Sequence, residues 1–277
     1  MGAPKAERPM IQRFLSATIY TLSSVLGIFA FLAPFFGIML QNDNAQASAP
    51  WLMSAIVGLC FISLLVEVQG TGINAKHVAL LGVLVAINSI LRFAEVAFPG
   101  PGGFTPIFLL IILSGYVFGA QIGFLMGALT LFVSALITGG VGPWLPYQMI
   151  SAAWVGLSAP LIKPLAHLLG GANSRGELLA IMLFGAVWGF AYGAIMNLWF
   201  WPYATGASTH YWQPGVGPIE TLQRYAAFYL LTSFVWDSFN AAGNVVLLAC
   251  FGAPVLRALR RFRKRLDFTY QPSGSTV

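Results

Sequence analysis

Residues 75–97 read AKHVALLGVLVAINSILRFAEVA. The stretch is apolar and long enough to cross the roughly 30 Å hydrocarbon core of a bilayer as one helix. Asn88, Arg92 and Glu95 nevertheless sit inside it. Spacings of four and three place all three on one helix face. Further along the chain Ser233, Asp237, Asn240 and Asn244 repeat the pattern. A charge in hydrocarbon costs at least ~2.5–3.5 kcal/mol on insertion scales, so it is kept where it has a partner or a purpose. The two stripes predict a helical membrane bundle with a polar cavity between its helices.

Composition points the same way. Of 277 residues 58% are hydrophobic and only 8% charged, against about 25% charged in a soluble domain. That leaves a polytopic all-α membrane protein with short links and no soluble domain. The net charge of +6 does not indicate nucleic acid, because of where it lies. Arg257, Arg260, Arg261, Arg263, Lys264 and Arg265 follow the last apolar run and read as a cytoplasmic anchor at anionic headgroups. Cys60 and Cys250 lie inside apolar runs, which suits neither a disulfide framework nor a metal cluster. Lys5, Arg8 and Arg13 precede an apolar run through Met39. That run is too long for a signal-peptide core and reads as a retained first span.

Hydropathy predicts about eight spans, near 14–40, 51–69, 75–97, 105–119, 121–138, 146–169, 177–201 and 224–256. They divide the chain into an N-terminal arm with two spans (1–70), a six-span core (71–257) and a basic tail (258–277). Gly115, Gly119, Gly123 and Gly127 mark a close-packed seam around the fourth and fifth spans. Lys and Arg concentrate in the N-terminal arm, the 70–76 and 170–176 links and the tail, whereas the links at 41–50, 98–104, 139–145 and 202–223 hold none. This alternation places both termini in the cytoplasm. The 202–223 link carries Tyr203, His210, Tyr211 and Trp212, aromatics suited to an interfacial belt or to the cover of a pocket.

The candidate substrate site is drawn from these elements. Arg92 and Glu95, three apart, can pair on one helix face; a structural ion pair facing the headgroups and a contact of Arg92 with an anionic or amide group of a ligand, with Glu95 orienting it, are both open. Asp237 lies deeper, with Asn240 and Asn244 extending its face; a ligand contact, a proton-linked carboxylate and bonding between helices are all open for this stripe. Tyr147 and Gln148 open the sixth span, and Asn197 lies near the end of the seventh. Trp144, Trp201 and Trp236 add aromatic surface. No catalytic constellation emerges: His77, His167 and His210 fall on both sides of the membrane, and Gly-x-Ser-x-Gly is absent. There is also no P-loop, so the chain does not hydrolyse ATP itself.

The segments from Ala75-Lys76-His77-Val78-Ala79-Leu80-Leu81-Gly82-Val83-Leu84-Val85-Ala86, through Gly103-Phe104-Thr105-Pro106 and Ser114-Gly115-Tyr116-Val117-Phe118-Gly119, to Gly139-Gly140-Val141-Gly142-Pro143-Trp144 resemble the substrate-binding S component of energy-coupling-factor (ECF) vitamin transporters. The resemblance covers roughly the last three-quarters of the chain. It implies capture of a vitamin from outside the cell by a protein of the bacterial cytoplasmic membrane. It also implies a transmembrane T subunit and two cytoplasmic ATPase subunits as partners, ATP being used by those subunits and no cofactor being bound by this chain. The loop before Pro146 is most similar to the cobalamin-type variant. In this family small residues on the first core helix meet the T subunit; here they are Ala75, Ala79, Gly82 and Ala86. The two N-terminal spans depart from the six-span pattern and either shield the core or meet the partner complex. Outside the resemblance, the alternatives are a stand-alone secondary transporter and, from another class, a membrane-bound enzyme.

Overall fold

The computed structural model describes residues 10–36, 51, 54–60, 62, 75–100, 104–204, 206 and 209–266. Every regular element among them is helical. In chain order the main helices are α1 (Met10–Leu32), α2 (Ala75–Ala97), α3 (Ile107–Phe118), α4 (Ala120–Thr138), α5 (Leu145–Ser158), α6 (Ile162–Leu168), α7 (Arg175–Phe200), α8 (Pro218–Thr232) and α9 (Phe234–Leu266). Short 3-10 turns extend α1 and α7 and link α5 to α6.

Six runs among the described residues are long and apolar enough to cross a membrane: Phe14–Phe35, Lys76–Ala97, Ala120–Thr138, Leu145–Leu168, Arg175–Tyr203 and Phe234–Arg265. The span expected over 51–69 lies largely outside the described residues. The one expected over 105–119 is α3, only 12 residues long. At 1.5 Å per residue it covers roughly 18 Å, too little for a bilayer. It is apolar all round, and Ile107 through Val117 are all buried, as befits a helix surrounded by protein. The span expected over 224–256 is two helices: α8 ends at Thr232, and Ser233, at φ −129°, separates it from α9. Near the start of α8, Arg224 pairs with Glu220 one turn away at 2.6 Å. The positive charge from Arg257 onward continues α9 as helix to Leu266.

The most extensive contact is between α4 and α5, followed by α7 with α9 and α2 with α4. α3 fills the centre, touching α2, α4, α5 and α9. Small residues make this possible. A Cβ on Gly123 would collide with the Gly156 carbonyl, one on Gly156 with the Gly123 carbonyl, and one on Gly127 with the Ala152 carbonyl. Gly115 of α3 meets Gly156 in the same way. Gly119 has a different role from its neighbours. Its φ of +105° reverses the chain between α3 and α4, a conformation glycine adopts without steric cost.

A side chain at the α4–α5 crossing must separate two backbones. Gly156→Leu is expected to cost about 2–3 kcal/mol or more, read as a lower melting midpoint in detergent. Gly82→Ala adds its methyl to open space and, alanine being the better helix former, should hold or slightly raise the midpoint.

Candidate functional site

The end of α1, the ends of α2 and α7, and the starts of α5, α8 and α9 gather at one end of the bundle. Tyr147 packs against Trp199 and Phe31, with ring centroids 5.5 and 5.0 Å away. Asn197 donates to the Ser233 hydroxyl at 2.6 Å. Arg92 shares a cleft of about 150 Å³ with Ser134, Thr138, Trp144 and Gln148. The opposite end holds the α3–α4 turn, the α6–α7 link and the basic last turns of α9, as the bond from Arg263 to the Val117 carbonyl shows.

Arg92 is committed within the chain. It pairs with Glu95 at 2.7 Å. The Thr105 hydroxyl donates to the other Glu95 oxygen at 2.5 Å and accepts from Arg92 at 3.4 Å. This triad fixes the end of α2 against the segment leading into α3. One turn earlier, Asn88 is fully buried and donates to the Ile107 carbonyl and the Thr130 hydroxyl. Four such bonds bind the α2 stripe to α4, to the first residue of α3 and to Thr105 just before it. The adjoining cleft is smaller than the roughly 300–1,000 Å³ usual for a ligand pocket.

The second stripe lies in the α7–α9 seam. Gly185, Gly189 and Gly193 of α7 lie against Leu248, Ala241 and Asp237 of α9. A Cβ at Gly193 would strike the Asp237 carboxylate. Asn244 is 3% exposed and donates to the Gly185 carbonyl at 3.0 Å. Asp237 Oδ2, Asn240 Oδ1 and the nearby Tyr229 hydroxyl are buried and have no hydrogen-bond partner among the described residues. The Arg92 cleft does not include Asp237. Trp236 points away from the bundle and is 57% exposed.

A larger cleft opens between the end of α1, the end of α7 and the start of α8. Its volume is about 830 Å³, and Phe35, Trp201, Trp212, Pro214, Leu222 and Tyr225 are among its walls. Trp201 is almost fully buried and anchors it. Its indole N–H donates to the His210 carbonyl at 3.0 Å, and its ring lies 5.8 Å from Phe35 and 5.2 Å from Tyr225. Trp212 meets Phe35 edge-on at 6.0 Å. Arg224 holds the loop from below by donating to the Tyr211 carbonyl. Burial first, and then the Asp237 carboxylate, hold the Tyr225 phenol above its ordinary range. It therefore stays protonated and donates to the Ala194 carbonyl. Such a wall, aromatic with a few polar atoms, suits a large, partly apolar ligand. Thr105, Phe35 and Tyr225 were not singled out from the sequence. The aromatic 202–223 link was the available signal for this cleft; Phe35 gave none, because its partner is more than 160 positions away.

On α2, Ala79, Gly82 and Ala86 share one exposed face. The space around Gly82 is open to 4 Å, so none of the described residues packs against this surface there. The Ala75 side chain lies outside the described residues.

A family model described as "ECF transporter, substrate-specific component" matches residues 76–250, well over half of the chain. No curated protein and no solved structure matches.

If the α7–α9 seam makes Asn244 structural, Asn244→Ala should destabilise the protein by about 1 kcal/mol and leave ligand affinity unaltered in the folded fraction. Thermal melts paired with equilibrium binding separate the two effects. Lost affinity at unchanged stability would place Asn244 in the ligand site instead.

Proposed function

Because the chain belongs to the family of ECF transporter substrate-specific components, we propose that it captures a vitamin in its aromatic cleft and delivers it inward across the cytoplasmic membrane of a bacterium. Membership makes it the substrate-binding subunit of a transporter rather than an enzyme, with T and ATPase subunits as its general partners. The cleft of about 830 Å³ around Trp201 and Trp212 carries the choice of site. It has the capacity and the aromatic walls a vitamin needs, whereas the 150 Å³ space at Arg92 has not. Arg92, Glu95, Asn88, Asp237 and Asn244 then act mainly by holding helices together beneath it.

Orientation supports the same reading. Arg175 and the cations of 257–265 gather at one end and the aromatic cleft at the other, so the positive-inside rule turns the cleft outward and puts both termini in the cytoplasm. The six described spans and the expected 51–69 span make seven, and α3 returns the chain from the cleft end to the basic end inside the protein, away from lipid, which keeps both termini on one side. A corrinoid such as cobalamin is the favoured vitamin, on the similarity of the loop ending at Pro146. Docking to the T subunit uses the exposed small-residue face of α2, where helices approach closely. ATP is hydrolysed by the partner subunits, and transport needs no cofactor on this chain.

Two measurements test the scheme. Binding of a vitamin panel to the purified protein, followed by tryptophan fluorescence, should identify one tight ligand. Trp212→Ala should weaken that ligand about tenfold, the loss of one aromatic contact, while the exposed Trp236→Ala does not. Equal affinities for wild type and a folded Trp212→Ala protein would remove the aromatic cleft as the site.

The second concerns docking. Ala79→Trp with Ala86→Trp should abolish uptake in cells while binding by the isolated protein persists. Normal uptake by this double variant would rule out α2 as the docking face.

A further inference from the structure

Charge around the aromatic cleft is one-sided. Its described walls include no Lys, Arg, His, Asp or Glu. The chain has no Lys or Arg between Arg13 and Lys76, nor between Arg175 and Arg224. The segments that supply the walls therefore have no cation to offer except Arg224, and that one is engaged. Its Nε and one terminal nitrogen donate to Glu220 at 2.9 and 2.6 Å, and the other terminal nitrogen donates to the Tyr211 carbonyl at 3.3 Å. Its charge is balanced by Glu220, and all three nitrogens are in use.

A negative charge lies behind the wall. Tyr225 lines the cleft, and its hydroxyl donates to the Ala194 carbonyl. Asp237 sits against Gly193, the residue before Ala194, and acts electrostatically on the Tyr225 phenol. Asp237 is 5% exposed. Among the described residues its Oδ2 has no hydrogen-bond partner and its carboxylate no cation. The wall itself adds charge of the same sign. Phe35, Trp212 and Tyr225 are only partly buried and line the cleft. Aromatic faces are negative and attract cations. A carboxylate or phosphate seated here loses water and gains no counter-charge. A neutral ring gains burial alone. A positively charged ring gains burial, the aromatic faces and the field of an unbalanced carboxylate.

We propose that the cleft selects a ligand whose seated part is a flat, positively charged ring, with Asp237 as the buried counter-charge behind Tyr225. A ligand that presents a carboxylate or phosphate to these walls is rejected. A corrinoid meets the requirement at its metal-centred macrocycle. The inference rests on the aromatic cleft as the ligand site and adds the charge of what that site takes.

The test uses the full purified chain and three rings of similar shape: 1-methylnicotinamide, a cation; nicotinamide, neutral; and nicotinate, an anion. Their affinities are read by ligand-observed NMR titration. 1-Methylnicotinamide should bind about tenfold more tightly than nicotinamide, the ratio expected of one buried cation–π contact, and nicotinate most weakly. Asp237→Asn keeps the shape and removes the charge. It should weaken 1-methylnicotinamide several-fold and leave nicotinamide unchanged, whereas a merely structural Asp237 would move both together. Trp212→Leu offers apolar surface without an aromatic face and should narrow the lead of the cation. If Asp237→Asn fails to fold, the wild-type ranking and Trp212→Leu decide. Nicotinate bound as tightly as 1-methylnicotinamide would overturn the proposal. So would a wild type that binds none of the three, or an Asp237→Asn protein that loses all of them alike. Failure of the site itself looks different: a preference for the cation that Trp212→Leu leaves untouched would move the ligand out of the cleft, and the inference would go with it.

Discussion

Backbone touches backbone where α4 crosses α5. Gly123 and Gly156 each occupy space the other's Cβ would need, and Gly115 of α3 shares the contact. Hydrocarbon supplies no hydrophobic force between helices, so close approach and the dispersion energy it releases must do the work. This crossing lets a 12-residue helix disappear into the bundle. It also makes α3, α4 and α5 a platform for the rest. Asn88 ties α2 to the platform through Ile107 and Thr130. α1 lies on its other side, where Trp154 donates to the Ser24 hydroxyl at 3.1 Å and Gly27 makes room for Ile150.

The α7–α9 seam uses the same device with a different filling. There Gly185, Gly189 and Gly193 face Leu248, Ala241 and Asp237 rather than another glycine row. Asn244 is satisfied by the Gly185 carbonyl. The buried Asp237 and Asn240 oxygens that lack close donors are costly at such a depth.

The sequence made the helices, their polarity and the glycine seam legible, because spacing along one helix is local information. The α2 and α9 stripes were visible for that reason. What each stripe faces was not, since that depends on helices far away in sequence. Arg92 and Glu95 read as a pair from their spacing, but Thr105, which closes a triad with them, lies beyond the Pro/Gly link. Asp237 looked like a cavity acid, and its neighbour is Gly193, a residue with no side chain to notice. The division of the last span at Ser233 was hidden by apolar residues on both sides of it. Glu177, which accepts from Arg260, Tyr116 and the Asn173 backbone at the basic end, had a usable signal that passed unremarked: Ser174-Arg175-Gly176-Glu177 is a capping-box sequence at the start of α7.

The family match ends at Cys250 and begins at Lys76, and a cleft at each end of the bundle reaches beyond it. The aromatic cleft takes Trp201, Trp212 and Tyr225 from inside the match but Leu32 and Phe35 from α1. Phe35 contacts both Trp201 and Trp212, so without α1 the two indoles lose the ring that lies against both. At the other end, Tyr116, Lys163 and Glu177 lie inside the match, whereas Arg260 and Arg263 come from the continuation of α9. The matched core thus supplies a floor at each end, and the flanking helices supply the closing groups: aromatic at one end, cationic at the other. With the ligand in the aromatic cleft, as proposed above, the N-terminal helix has a physical task, since apolar burial of a ligand requires a wall on each side of it.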